Sequence, residues 1–140
     1  MSLRWLLVLG SDEAGGAPIP AALEALAGLG QVQALTAPRR SPDDDGADRW
    51  FTNRLARLDS TLARAALVEA LQRIERGIGR AEDSAGVPID IDLLACDPDG
   101  AGWQLDPHAA QKTEHRRPHV VALLEEAGIK VLESPETSRK

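Results

Sequence analysis

Apolar residues, in continuous runs or alternating with polar ones, predict five strands along the chain. Residues 3–9 form an apolar run that ends at Gly10-Ser11-Asp12, which is typical of a strand buried on both faces and closing in a turn. Residues 31–36 alternate between polar and apolar positions, and residues 50–58 and 87–95 give further strand signals. Residues 129–132 predict a short closing strand.

Helical spacing of apolar residues predicts three helices between these strands. The first begins at Pro18 and is stopped by glycines; its apolar positions are Ile19, Leu23 and Leu26. The second has Asp59-Ser60 as its N-cap and glycines at 77 and 79 as its end, near Arg80; its apolar stripe is Leu67, Leu71, Ile74 and Ile78. The third begins at Pro118 and ends at Gly128; its inward residues are Val120, Val121, Leu124 and Ala127.

The segments between these elements predict surface loops at residues 39–48 and 81–86, and residues 134–140 predict a frayed tail. We therefore expect one domain over residues 1–133. Two helices separated by a pair of strands favour an α+β sandwich of the ferredoxin-like kind, with a mainly antiparallel sheet and helices packed on one face.

Composition narrows the function classes. The chain has 140 residues, a net charge of −6, three Trp, one Phe and no Tyr. An acidic, aromatic-poor protein is a poor nucleic-acid binder, so we expect no nucleic-acid partner. Cys96 is the single cysteine, which excludes a disulfide framework and suits a reducing compartment. No apolar run reaches membrane-span length, so we expect a cytoplasmic protein with no membrane partner.

Asp90 and Asp92 are the most informative polar pair. Residues two apart in a strand point to the same face, so both carboxylates lie together while Ile89, Ile91 and Leu93 pack behind them. Two carboxylates in this arrangement can hold a hard cation such as Mg²⁺. The alternative is an ordinary polar strand face, although Asp is a poor strand former and like charges repel.

Two further groups of residues could carry chemistry. Glu75 and Arg80 lie at the predicted end of the second helix, where Arg80 could bind a phosphate; a solvated helix end is the alternative. His115 and His119 are four apart, and with His108 they could form a zinc site. Pro118 between them marks a helix start, which favours surface histidines instead.

These segments together resemble the 6-hydroxymethyl-7,8-dihydropterin pyrophosphokinase family over residues 3–131. The segments that carry the resemblance are Leu9-Gly10-Ser11, Phe51-Thr52-Asn53, Gln72-Arg73-Ile74-Glu75 with Gly79-Arg80, Ile89-Asp90-Ile91-Asp92-Leu93-Leu94, and Pro107-His108. The resemblance implies transfer of pyrophosphate from ATP to a pterin in folate biosynthesis, with two Mg²⁺ ions as cofactors and ATP and the pterin as small-molecule partners.

The resemblance also implies roles for single residues. Asp90 and Asp92 would hold the Mg²⁺ ions, and Arg80 would be catalytic. The pterin would contact Ser41, Pro42, Phe51 and Asn53. ATP would contact Glu75, His108 and Arg116 in addition to Arg80.

Some positions depart from the family pattern. The family carries arginines and a Trp between the positions of Arg80 and Asp90, whereas this chain has a shorter segment with Glu82 and Asp83. Ala109 and Pro118 stand where the family has aromatic residues. These departures predict a weakened enzyme, with Arg39, Arg40 or Arg117 as candidates for replacement charge. A non-catalytic nucleotide- or pterin-binding homologue and a ferredoxin-like interaction module are the alternatives.

Overall fold

The computed structural model describes residues 2–12, 16–42, 50–82 and 88–133, with only the backbone of residues 80–82. The predicted tail at 134–140 lies outside these ranges, as do most of the predicted loop at 39–48 and the residues from 83 onward of the loop at 81–86. The elements along the chain are β1 (Leu3–Ser11), α1 (Pro18–Leu26), β2 (Gln31–Ala34), β3 (Arg39–Pro42), β4 (Trp50–Ser60), α2 (Arg64–Glu82), β5 (Asp90–Asp97), β6 (Trp103–Leu105), α3 (Pro107–Gln111), a 3-10 turn (Glu114–Arg116), α4 (Pro118–Ala127) and β7 (Val131–Leu132).

The strands form one sheet in the order β2-β4-β1-β5-β6-β7, with β3 also paired to β4. Every pairing is antiparallel except that of β6 with β7. The units β1-α1-β2 and β4-α2-β5 interleave, so that β1 and β4 are central, which is the ferredoxin-like arrangement. The predicted fold class is therefore confirmed.

Helices cover both faces of this sheet. Trp5, Leu7 and Leu9 of β1 pack with α1 and α2, whereas Leu6 and Val8 pack with α4 on the opposite face. The expectation that all helices lie on one face is wrong for α3 and α4. The physical reason is that β1 carries apolar side chains on both faces of the sheet, so helices must cover both faces to keep those side chains out of water.

Local signals misplaced three boundaries. Ser60 does not cap α2 but ends β4, and α2 begins at Arg64. This helix also continues through Gly77 and Gly79 to Glu82, because Ile74 and Ile78 pack against the core and two helical glycines cost only about 1 kcal/mol each. Residues 81 and 82 are therefore helical rather than loop.

The pattern of apolar and polar residues does not predict the short elements. Part of the predicted loop forms β3, where Ser41 pairs with Phe51 and the Arg40 guanidinium lies 5.2 Å from the Trp50 ring centre. The elements β6 and α3 were not predicted. Val121, expected inward on α4, is exposed, whereas Val120 and Leu124 are buried as expected. Among the residues described, no helix is long and apolar enough to cross a membrane.

Candidate functional site

Two clefts meet at the start of β5. The β4 cleft lies on the α4 face of the sheet and is lined by residues that include Ser41, Pro42, Phe51 and Asn53. The α2 cleft follows helix α2 along the outer side of β5 and is lined by residues that include Arg64, Val68, Leu71, Gln72, Glu75 and His108. Three acidic residues line both clefts, namely Asp90, Asp92 and Glu114. Groups bound in the two clefts would therefore meet at these carboxylates.

Strand register builds the floor of the β4 cleft. Asn53, Gly10 and Asp90 are neighbours across β4, β1 and β5, and Val8 pairs with Asp92 one step further along. Because side chains alternate along a strand, Asp90 and Asp92 point to the face on which Leu94 is buried. Ile91 points to the other core, as the strand alternation predicts. The aspartate pair thus continues one apolar face of β5 into the clefts.

Asn53 is the most constrained polar residue of the β4 cleft. Its side chain is buried, and Nδ2 donates a hydrogen bond of 2.8 Å to Oγ of Ser41 on β3. A Cβ atom at Gly10 would lie 2.9 Å from Oδ1 of Asn53, so only glycine leaves the amide its room. The Ser41 hydrogen bond and the packing against Gly10 therefore fix the orientation in which the Asn53 amide would meet a ligand.

The opposite wall of the β4 cleft comes from the turn before α4. Glu114, Arg117 and His119 line the cleft there. Thr113 precedes this turn with φ of 51°, a left-handed conformation that a β-branched residue rarely adopts. The Glu114 side chain is only 6% exposed, and its carboxylate lies 3.7 Å from Nε of Arg117. The turn therefore delivers a buried carboxylate to the meeting point of the clefts.

Glu75 joins α2 to the edge of β5. Its Oε2 accepts a hydrogen bond of 2.7 Å from the backbone N–H of Ile91. Among the described strands none pairs with this part of β5 on its outer side, since β6 pairs with Ala95 and Cys96. Burial, followed by the charge of Asp90, raises the pKa of Glu75, although the Ile91 hydrogen bond opposes that shift.

The α2 cleft extends from Glu75 to an ion pair at the start of α2. Nε and Nη2 of Arg64 donate to Oδ1 and Oδ2 of Asp106 at 2.6 and 2.9 Å. Asp106 caps helix α3 by accepting from the N–H of His108 at 3.1 Å. Its own N–H donates to the carbonyl of Leu94 at 2.8 Å. The carboxylate of Asp106 thus fixes α2 and His108 around the cleft.

The meeting point of the clefts has excess negative charge. Burial raises the pKa of Asp92 to about 8, and the neighbouring charge and hydrogen bond of Asp90 act in the same direction. Glu114 adds to the shift, and Lys112 opposes it. An opposite charge bound between the aspartates would favour their ionised forms.

These residues fit a hard cation in part. Carboxylate oxygens are the donors that Mg²⁺ prefers, and Asp90 and Asp92 present them on one face. Over the described ranges, no group of three or more His, Cys, Asp or Glu side chains is arranged to hold a metal ion. Waters or ligand phosphates would have to complete the coordination, which is how Mg²⁺ is commonly bound with nucleotides.

Most of the residues proposed from sequence line the two clefts, but some do not. Arg116 is 68% exposed, donates to Glu133 at 3.1 Å and lines neither cleft. The side chain of Arg80 lies outside the described part of the chain. Arg39 pairs with Glu126 at 3.8 Å, and Arg40 stacks on Trp50, so of the three replacement candidates Arg117 lines a cleft.

The three histidines occupy different places. His108 lines the α2 cleft and His119 lines the β4 cleft. Nε2 of His115 lies 3.2 Å from the carboxylate of Glu133 near the C-terminal strand. His108 and His119 therefore line separate clefts, and the three histidines do not converge on one point.

Sequence reasoning missed four polar residues of the clefts, which are Arg64, Asp106, Lys112 and Glu114. For one of them a signal exists, because Asp106 followed by Pro107 is a typical start of a helix, with Asp at the N-cap and Pro at the first position. Glu114 has no such signal, since a left-handed Thr113 directs it into the clefts.

Comparison with known proteins gives one family over most of the chain. The profile of the 7,8-dihydro-6-hydroxymethylpterin-pyrophosphokinase (HPPK) family matches residues 6–128. A search of curated proteins gives no match. A hydantoinase/carbamoylase family amidase from Burkholderia ambifaria aligns structurally with 95% of this chain and 34% of its own, at 16% identity and a TM-score of 0.40. This chain thus spans about a third of that amidase, and so distant a similarity carries no argument about function.

The family match covers the strands that carry Asn53, Asp90 and Asp92 and the helix that carries Glu75. It also includes α3 and the turn that holds Glu114. The chain therefore belongs to the 7,8-dihydro-6-hydroxymethylpterin-pyrophosphokinase (HPPK) family.

Proposed function

We propose that the protein transfers pyrophosphate from ATP to 6-hydroxymethyl-7,8-dihydropterin in folate biosynthesis, with weakened activity. The single observation that carries this proposal is that Asp90 and Asp92 line two clefts at once. A transfer between two substrates needs the hydroxyl of one and a phosphorus of the other to meet beside the groups that neutralise phosphate charge. The aspartate pair occupies that position.

The β4 cleft is the proposed place for the pterin. The amide of Asn53, held by Ser41, offers a carbonyl oxygen and an N–H to the polar edge of a ring. Phe51 and Pro42 offer apolar contacts to its faces. A ring placed there would direct its hydroxymethyl group toward the shared carboxylates.

The α2 cleft is the proposed place for ATP. Glu75, Gln72 and His108 line it, and Lys112 contributes a positive charge near Asp92. Mg²⁺ held by Asp90 and Asp92, when bound, would neutralise phosphate charge during the transfer. The protein's own contribution is then to position the hydroxyl in line with the β-phosphorus, and to exclude water from the meeting point.

The test is formation of AMP from ATP in the presence of Mg²⁺ and 6-hydroxymethyl-7,8-dihydropterin. We expect AMP that requires the pterin and falls to background in Asp92→Asn. Asp99→Asn is the matched control, because Asp99 lies in the exposed turn before β6 and lines neither cleft. AMP formation that persists in Asp92→Asn would contradict the assignment of the metal aspartates.

One observation favours a second function, binding of both ligands without transfer. Glu114 places a third carboxylate where the phosphates of ATP would approach Asp90 and Asp92, and it adds to the charge that raises the pKa of Asp92. Negative charge at that point opposes the transition state rather than stabilising it. Calorimetric titration decides between the two functions: saturable binding of ATP and pterin by a protein that forms no AMP supports binding alone.

A further inference from the structure

The Arg64–Asp106 ion pair lies at the far end of the α2 cleft, and its geometry suits Arg64 for contact with a ligand. Two nitrogens of the guanidinium bond to the two oxygens of a carboxylate that is only 5% exposed. A bidentate pair of this kind fixes the plane of the guanidinium as well as its position. The hydrogen bond that Arg64 donates to Asp106 raises the pKa of Arg64, so the side chain stays charged.

The rest of the Arg64 side chain remains open to the cleft. It is 46% exposed and lines the α2 cleft, and because its bonds to Asp106 use Nε and Nη2, Nη1 and the faces of the guanidinium take no part in that pair. Because Asp106 already balances the charge, this group would attract phosphate weakly. A planar guanidinium with a fixed orientation is instead suited to stacking on an aromatic ring.

The position of Arg64 along α2 matches the base of a nucleotide. Arg64 and Glu75 are eleven residues apart on one helix, which corresponds to about 16 Å at 1.5 Å per residue. Val68 and Leu71 lie between them and make that stretch of the cleft apolar. A nucleotide with its phosphates at Asp90 would therefore extend its base over the apolar stretch toward Arg64. In the described part of the chain, the residues lining this cleft include no Trp or Phe on which a base could stack.

We propose that Arg64, held flat by Asp106, is the platform on which the base of the nucleotide stacks. This inference rests on the proposed function, since it takes the α2 cleft as the nucleotide site. It assigns Arg64 a role in binding the base but none in binding the triphosphate. The role therefore predicts a difference between a nucleotide and a ligand that has the three phosphates but no nucleoside.

The experiment is calorimetric titration with adenosine 5′-(α,β-methylene)triphosphate and with inorganic tripolyphosphate, both in the presence of Mg²⁺. Arg64→Met keeps the apolar stem of the side chain and removes the planar group. We expect this substitution to weaken binding of the nucleotide analogue about tenfold. Tripolyphosphate affinity should stay within about twofold of wild type, because the Asp106 carboxylate that the substitution leaves unbalanced lies beside Arg64, about 16 Å along α2 from Glu75, and charges that far apart are largely screened at physiological ionic strength. Arg64→Lys should also weaken the analogue, since Lys keeps the charge but lacks the flat face.

Arg73→Met is the matched control, because Arg73 is exposed on the same helix, pairs with Glu69 and lines neither cleft. It should bind both ligands like wild type. The inference is overturned if Arg64→Lys, shown by circular dichroism to be folded, binds the analogue as wild type does, or if both ligands weaken by the same factor. A wild-type protein that binds neither ligand overturns the proposed function itself, and this inference with it.

Discussion

Gly10 and Asn53 are paired across β1 and β4, and a Cβ atom on Gly10 would lie 2.9 Å from Oδ1 of Asn53. Gly10→Ala should displace the amide from Ser41 and disturb the surface offered to a pterin. We expect an affinity for the pterin about tenfold lower, which corresponds to about 1.4 kcal/mol and to the loss of one good hydrogen bond. Fluorescence or calorimetric titration with the pterin measures this, and affinity for the ATP analogue should be unchanged. Equal pterin affinity in wild type and variant would contradict the role given to Asn53.

Gly30 and Gly77 should respond to the same substitution with opposite signs. A Cβ atom on Gly30 would run into the backbone carbonyl of Asp59, so Gly30→Ala should destabilise the fold by about 3 kcal/mol. At Gly77 no atom of the described residues lies within 4 Å of such a Cβ, and the residue is inside α2. Gly77→Ala should therefore stabilise the protein by about 0.5–1 kcal/mol. Urea unfolding of both variants measures the two values, and a stabilised Gly30→Ala would show that β2 and β4 approach less closely than described.

The raised pKa of Asp92 predicts how stability depends on pH without metal ions. The carboxyl ordinarily has a pKa of 3.8, and in the folded protein its pKa is about 8, so the native state holds a proton that the unfolded chain releases. This stabilising contribution is complete below about pH 4 and is lost as the pH rises toward 8. Between pH 5 and pH 8 in EDTA, the Tm of the wild type should fall more than that of Asp92→Asn. Parallel curves for the two proteins would contradict the shift.

Mg²⁺ should reverse part of this dependence. A metal ion competes with the proton for the Asp92 carboxylate, so binding strengthens as the pH rises. The increase in Tm caused by Mg²⁺ should therefore be larger at pH 8 than at pH 6, and absent in Asp92→Asn. An equal increase at both pH values would place the ion elsewhere.

Ser60 links three segments at the end of β4. Its Oγ donates to the carbonyl of Leu29 at 2.8 Å and accepts from the N–H of Leu62 at 3.2 Å, in a buried position. Ser60→Ala leaves both groups without this partner and should cost about 1–3 kcal/mol of unfolding free energy. Thr61→Ala, at the exposed neighbouring position, is the control and should change stability by less than about 0.5 kcal/mol.

The parts of the fold that followed from sequence are those with a strong local pattern. The apolar run of β1 predicted a central strand, and the spacing of Leu67, Leu71 and Ile74 predicted the core face of α2. Strand β3 could not be predicted in this way, because Arg39–Pro42 becomes a strand only through its pairing with Trp50–Asn53. The glycines of α2 misled for a related reason, since tertiary packing outweighs their weak preference against helix.

The candidate site likewise contains residues that the sequence pattern predicted and residues that it could not predict. Strand alternation was enough to place Asp90 and Asp92 on one face, and the geometry confirms that expectation. Glu114 could not be found from residue spacing, because the left-handed conformation of Thr113 directs it into the clefts. Arg64 could not be found either, because Asp106, which holds it, is 42 positions away in the sequence. Contacts between segments distant in sequence leave no periodic signal in either segment.

The outer edge of β5 next to the aspartates has a further consequence for handling the protein. An unpaired strand edge can add a strand from another molecule, and charged side chains on that edge oppose such pairing. Among the described strands none pairs with β5 on its outer side at Ile91, and the carboxylate of Glu75 accepts the N–H of that residue. Glu75 therefore occupies a backbone donor through which the strand of another molecule could pair, so a residue proposed to line the ATP site also keeps this edge from pairing.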